Sequence, residues 1–319
     1  MCEEELTDAI ANPNQSFSPN MASAETLIGL VDNLEVYVKH HIGKADILLI
    51  TLDSLRFDVA QQAFEQGKLP VLSPWLGETG WERRHTPGNF TYAAHHAFFA
   101  GFLPTPVAPG PHVRLVASQF FGSETTAEAT FVFEQDNFVA ALAARGYHTI
   151  CIGGVGFFNR QTALGRVLPN LFAESHWAPN LGVTCPESTE NQCAVAIERL
   201  QTVSVEQRVF LFINVSAIHQ PNYFYIDGNS QDSCDSQLAA LAYVDRCLAP
   251  LLNALQNRAA TFCILCSDHG TTYGEDGYRG HRLNHRVVGD VPYTHFLLPP
   301  HQDVTDATRI KEVTHAVED

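Results

Sequence analysis

The sequence is short of positive charge. Against 35 Asp and Glu stand only 19 Lys and Arg, a formal net charge of −16 over 319 residues. Such a chain repels phosphate backbones and anionic bilayers, which argues against nucleic acid or a charged membrane surface as its main partner. It also lacks long apolar runs: none approaches the ~20 residues that cross a bilayer. The opening Met1-Cys2-Glu3-Glu4-Glu5-Leu6 has neither the basic n-region nor the apolar h-region of a signal peptide. The expectation is a cytoplasmic chain with no membrane span, whose eight Cys are reduced. There is no internal repeat and no clear interdomain linker. A flexible polar leader over 1–20 followed by a single domain over 21–319 is therefore the simplest organisation. Nothing in the sequence speaks to oligomeric state.

What the sequence does contain is a set of apolar runs of strand length. Asp46–Leu52, Val209–Val215 and Ala260–Cys266 are apolar on both faces, as expected of buried parallel strands. Shorter strands are expected near Trp81–His85, Tyr147–Ile152 and Val291–Leu298. Between them lie helical patterns. One is Leu27, Leu30, Val31, Leu34 and Val38; others run from after Asp53 to about Gln66, over Phe90–Gly101, Gln135–Arg145 and Ala194–Gln201. A long helix starts near Cys234 and carries Leu241, Val244, Leu248, Leu251 and Leu255 on one face, with Pro250 expected to kink or break it. Residues 157–193 show little organisation. Strand–helix alternation with doubly apolar strands predicts an α/β fold, a three-layer α/β/α sandwich around a mostly parallel sheet. Cys263 and Cys266 have CxxC spacing, but an odd separation on a strand sends them to opposite faces, so buried structural thiols are expected. Cys185 and Cys193 lie in one polar stretch and are close enough in sequence to approach each other. Gly153-Gly154-Val155-Gly156 is either a phosphate cradle or, as expected for Gly154, a place where a loop passes close to backbone.

The chemistry concentrates at Cys266-Ser267-Asp268-His269-Gly270. An apolar strand here delivers a carboxylate and an imidazole together at its C-terminal end, where open α/β sheets present their sites. One hard oxygen and one nitrogen suit Zn²⁺ or Mn²⁺. Asp53, beyond the strand Asp46–Leu52, supplies a second carboxylate. Thr91 stands at a helix start, where it either caps the helix or lies among backbone N–H groups that stabilise a developing anion. His95, His219, His281 and His285 lie near these residues in the pattern. They are candidates for a second metal site, for substrate binding or for proton transfer.

From about Asp46 to Leu298 the chain resembles the alkaline phosphatase/sulfatase superfamily. Asp46–Leu52 with Asp53-Ser54-Leu55-Arg56 resembles the first metal-ligand segment. Thr91 through Gly101-Phe102-Leu103-Pro104 resembles the nucleophile helix, and Ser267-Asp268-His269-Gly270 with Gly274-Glu275 and Gly277 the second ligand segment. The departures are informative. Thr91 occupies the place of the Cys or Ser from which sulfatases make formylglycine, and Ala93 and His95 replace the Pro and Arg of that motif. Asp53-Ser54 stands for an Asp-Asp pair, the Gly153–Gly156 run lacks the sulfate-anchoring Lys and His, and His281 takes the place of a later Lys. Val215 occupies the place, four residues before His219, where two-metal members keep an Asp. The resemblance thus implies a metal-dependent hydrolase or transferase acting on a small anionic phosphoester or phosphonoester through Thr91. Its one expected metal would be held by Asp53, Thr91, Asp268 and His269. His219, His281 and His285 would be candidates for a second metal. Catalytic roles would fall to Thr91, His95, His219 and His281, and substrate binding to His95, His219, His281 and His285. A sulfate-ester hydrolase, or a metal-binding member without turnover, is the alternative.

Overall fold

The structure, a computed structural model, describes residues 41–101, 116–117, 131–132 and 137–301. The expected leader and the helix expected over 27–38 lie outside the described residues. The chain divides into Met1–Lys44 and Ala45–Asp319, and the second unit carries the sheet and every candidate site residue.

Seven strands build the sheet: β1 (Asp46–Leu52), β2 (Glu82–His85), β3 (His148–Ile152), β4 (Glu174–His176), β5 (Val209–Val215), β6 (Thr261–Cys266) and β7 (Asp290–Leu298). Their order is β2-β7-β6-β1-β5-β3-β4. The five strands from β6 to β4 are mutually parallel, and β7 runs antiparallel to both β6 and β2. The expected three-layer α/β/α sandwich is what forms. All seven residues of β1 and of β5 are buried, as their unbroken apolar sequences require.

Period-two alternation sends the strand residues to two different cores. Leu48, Ile50 and Leu52 join Leu211, Ile213, Val215, Cys263 and Leu265 on one face. That face is covered by helices α1 (Phe57–Glu65), α4 (Ser188–Thr202) and α5 (Cys234–Arg258). On the other face lie α2 (Thr91–Ala100) and α3 (Phe138–Ala143). There the filling is aromatic: Phe212 meets Phe99 at 5.2 Å and Phe172 at 5.7 Å, and Phe210 meets Phe138 at 5.1 Å between ring centroids. Burying one such ring contributes roughly 1.5–3 kcal/mol.

Several expectations change. The disorganised stretch holds a strand, β4, too short and too polar to show a period, and α4 begins at Ser188, a turn and a half before its apolar pattern. Pro250 does not break α5, which runs as one element through it. The proline sits on the exposed side, so the carbonyl it deprives of a partner, that of Arg246, lies on a solvent-facing turn. The same helix is long and apolar enough, by length and composition, to cross a membrane, contrary to the expectation from its sequence; half of the relevant window is buried inside the protein. All seven cysteines among the described residues are free, Cys185 and Cys193 included. Cys263 and Cys266 do point to opposite faces. Burial raises both thiols, that of Cys266 to about 12, so neither is poised for redox or metal chemistry.

Candidate metal centre

Two neighbouring parallel strands place the two carboxylates. In the β1–β6 register Thr51 pairs with Cys266. Asp53 and Asp268 each follow that pair by two residues, so they leave the sheet side by side. Ser54 then takes a left-handed backbone, φ 66°, a conformation that costs a non-glycine residue on the order of 1–3 kcal/mol. The turn aims the Ser54 amide at Asp268 Oδ1, to which it donates at 3.1 Å, while the Ser54 hydroxyl donates to Asp53 Oδ1 at 3.0 Å. Gln237 on α5 holds the turn from outside by donating to the Ser54 carbonyl at 2.9 Å.

Asp53, Asp268 and His269 are fully buried, and one ligand atom from each lies within 4.8 Å of the others. Asp268 Oδ1 accepts from the Ser54 and His269 amides, at 3.1 and 3.0 Å. Its Oδ2 is buried with no hydrogen-bond partner at all. An orphaned carboxylate oxygen in a dry site is expensive unless a cation meets it. His269 donates from Nδ1 to the Gly270 carbonyl at 2.9 Å, which turns the Nε2 lone pair toward the carboxylates. Nε2 lies 3.5 Å from Asp268 Oδ2. These residues fit a divalent ion with mixed oxygen and nitrogen ligands.

The electrostatics agree. Burial, and then the charge of Asp53, push the Asp268 carboxyl well above the usual carboxylate range. Burial would raise Asp53 too, but His219, His269 and the Asn214 amide hold it below its ordinary value. Two carboxylates in one dry pocket repel, and an ion between them removes the repulsion.

Thr91 opens α2 but does not cap it. The N-cap is Phe90, whose side chain cannot accept a hydrogen bond. The Thr91 hydroxyl instead lies 3.4 Å from Asp53 Oδ2 and 3.4 Å from His269 Nε2, buried beside the candidate metal ligands.

The four other histidines part company. His95 is fully buried and both its ring nitrogens are engaged: Nδ1 donates to the Thr91 carbonyl at 2.7 Å, and Nε2 meets the Thr51 hydroxyl at 2.9 Å. Its ring packs among Phe98, Phe99, Phe158 and Phe212. Burial drives it down to about 4, so it is neutral at pH 7. The expected catalytic and substrate-binding role of His95 is therefore corrected: the ring positions Thr91 and has no face left for a ligand. His285 is engaged in its own loop. Its Nδ1 accepts from the Val287 amide at 3.2 Å, capping a short turn of helix, and its Nε2 pairs with Asp276 at 3.1 Å. His281 does join the centre, with its ring 4.5 Å from that of His269 and 5.7 Å from that of His219. Its Nδ1 is buried without a partner. Burial, then the neighbouring imidazoles of His269 and His219, lower it to about 4. His219 turns Nδ1 to the Gln220 carbonyl.

Sequence reasoning missed Asn214, which donates to Asp53 Oδ2 at 3.0 Å and accepts from the Val155 amide at 3.0 Å. The available signal was a lone amide inside an otherwise apolar strand. Val215, the next residue, faces the core, so no side chain from that place reaches the site. Gly154 is the close approach expected: a Cβ there would lie 2.2 Å from the Asn214 carbonyl oxygen. Arg56 was missed as well. Buried at 5% side-chain exposure, it pairs with Asp58 and with Glu275, tying the turn after Asp53 to the His-rich loop.

The sulfatase family model matches residues 46–289. No curated protein matches the sequence. Among solved structures, the soluble domain of lipooligosaccharide phosphoethanolamine transferase A from Neisseria meningitidis is similar at 14% identity, covering 80% of this chain and 76% of that one, with a TM-score of 0.55. The C-terminal periplasmic domain of EcEptC from Escherichia coli, in complex with Zn, matches at 15% identity over 81% and 73%, TM-score 0.53. A sulfatase-like protein from Bacteroides fragilis matches at 16% over 82% and 69%, TM-score 0.52. At these identities the likeness is one of fold, and none of these neighbours supports the cytoplasmic expectation. The family match spans three quarters of the chain and takes in both carboxylates, Thr91 and His269, and on that ground the chain belongs to the sulfatase family, within the alkaline phosphatase/sulfatase superfamily.

Proposed function

We propose that this protein is a metal-dependent hydrolase or transferase of phosphoesters or phosphonoesters, with Thr91 as its nucleophile. The observation that carries the reading is the unpartnered, buried Asp268 Oδ2, converging with Asp53, His269 Nε2 and the Thr91 hydroxyl on one small volume. Asp53, Asp268, His269 and Thr91 would hold a single Zn²⁺ or Mn²⁺. Bound there, the ion would make the hydroxyl more acidic and neutralise charge on the phosphoryl oxygens.

The chain's own residues do the rest. His95 and Asn214 fix the geometry from below, His95 through the Thr91 carbonyl and Asn214 through Asp53. The Thr91 oxygen, its proton lost to water, attacks phosphorus, and the bond from phosphorus to the ester oxygen breaks. The released oxygen takes up a proton from the side lined by the half-buried His219 and His281. His219 has its Nδ1 occupied by the Gln220 carbonyl, so its Nε2 is free to accept a proton from the water or alcohol that releases the Thr91 ester. Water gives hydrolysis and an alcohol gives transfer, and the Thr91 oxygen regains a proton from water as its bond to phosphorus breaks. His281, neutral above about pH 4, lines the same side.

A second reading, sulfate-ester hydrolysis, is favoured by the family match itself. Thr91 argues for phosphorus, because it is neither the Cys nor the Ser from which formylglycine is made. The test is a panel of nitrophenyl phosphate monoesters and diesters, phosphonates and sulfates, with Zn²⁺, Mn²⁺ or Mg²⁺, and mass analysis of the Thr91 peptide after rapid quenching. Turnover of phosphorus esters with a phosphoryl or phosphonyl adduct on Thr91 is expected. Turnover of sulfates alone selects the second reading, and metal binding without any turnover defines a non-catalytic member.

A further inference from the structure

A chain of net charge −16 repels anionic esters. If Asp53 and Asp268 hold a divalent ion, their two charges offset much of its own, so a further cation beside the site would add to the attraction. Arg282 is the candidate. It follows His281 directly, and its amide donates to the Asn89 carbonyl at 2.9 Å, which ties it to the residue before Phe90 and Thr91. Its guanidinium carbon stands 6.0 Å from the centroid of the Phe90 ring, the outer limit of a cation–π contact. Its backbone is left-handed, φ 72°. The residue is exposed, and among the described residues no carboxylate pairs with it.

Beside this cation is an aromatic wall. Phe90 meets Phe157 at 6.2 Å, and Tyr92 meets Phe157 at 5.6 Å. Phe90 and Tyr92 bracket Thr91 in sequence, so the wall and the candidate nucleophile share one helix start. None of the three aromatic side chains is fully buried.

We propose that Arg282 anchors the anionic oxygen of a singly charged ester whose planar group lies against Phe90 and Phe157. One guanidinium offsets one negative charge; the second charge of a phosphate monoester would be left facing a chain of net charge −16, which favours a phosphodiester or a phosphonate monoester. This rests on the site reading given above.

Calorimetry on the zinc-loaded Thr91→Ala protein tests it without turnover. The ligands are methyl phenylphosphonate, dimethyl phosphate and phenyl phosphate. Adding Arg282→Ala is expected to weaken methyl phenylphosphonate by at least about tenfold, with Arg282→Lys losing about threefold or less. Zinc content and melting temperature should not change. Phe157→Ala should weaken methyl phenylphosphonate and leave dimethyl phosphate as it was. Equal affinity with and without Arg282, a loss accompanied by loss of zinc, tighter binding of phenyl phosphate, or no binding by the parent protein would each overturn the proposal. Zinc content and ester turnover of the wild-type chain report on the parent reading separately. A protein that binds the ligand through Arg282 but turns over no ester refutes that reading and leaves this one standing.

Discussion

Ser54 and Asp268, 214 positions apart in the chain, are joined by a 3.1 Å hydrogen bond from the Ser54 amide to the Asp268 carboxylate. The bond exists because Ser54 is left-handed. It uses one oxygen of Asp268 and leaves the other, Oδ2, without a hydrogen bond, 3.5 Å from His269 Nε2 and 3.7 Å from His95 Nδ1. Asp268 is thereby held with one oxygen pinned and one presented, the arrangement a monodentate metal ligand needs.

Removing that ligand should remove the metal. Asp268→Asn is expected to lower zinc affinity by about 10–100-fold or more, read by equilibrium dialysis against a competing chelator. In the wild-type protein zinc should raise the melting temperature, since ligand at a hundredfold its Kd stabilises by about 2.7 kcal/mol. A melting temperature indifferent to zinc and to chelator contradicts the ligand assignment.

Thr91 separates capping from chemistry. Its hydroxyl makes no cap bond, so Thr91→Ala should cost little stability, under about 1 kcal/mol, where a lost cap would cost about that much or more. Turnover should fall by several orders of magnitude with zinc still held, more weakly, by Asp53, Asp268 and His269, while Thr91→Ser keeps appreciable activity. Activity within about tenfold of wild type in Thr91→Ala, under 1.4 kcal/mol of barrier, would show that the hydroxyl does not attack.

His95 should behave as a structural residue. His95→Phe deprives the Thr51 hydroxyl of its ring partner and removes the bond to the Thr91 carbonyl. The expected loss is about 1–3 kcal/mol by denaturant titration. Zinc affinity should stay within about tenfold, because His95 is not a ligand. A rise in KM at unchanged stability would instead make it a substrate contact.

The Arg56–Glu275 pair should leave a mark at acid pH. Burial alone would raise Glu275, but the Arg56 guanidinium and the Tyr273 amide pull it down to about 2, from an ordinary 4.5. A carboxyl depressed on folding stabilises above its unfolded value, and that contribution disappears as pH falls from about 4.5 to about 2. Glu275 is 31% exposed, so solvent screens part of the effect. Melting temperature followed across that window should fall less steeply in Glu275→Gln than in wild type. Identical slopes would show that the pair carries no net stabilisation.

The sequence alone determined the sheet and its sense. Apolar runs without alternation, such as Asp46–Leu52 and Val209–Val215, can be satisfied only with both faces covered, and helical periods between them supply the cover. It also placed Asp53, Asp268 and His269 at strand ends, because strand length is legible in composition. Which histidines serve the site was decided by tertiary structure. His95 and His281 look alike in sequence, yet one faces a shell of Phe rings and the other faces His269. Asn214 became a support for Asp53 only because β5 lies beside β1, a long-range pairing that no local pattern encodes. The same holds for the Asp268 oxygen left without a partner: its solitude depends on the left-handed turn at Ser54 and on the register of two strands more than two hundred residues apart, and a carboxylate's surroundings exist only once the chain has closed around it.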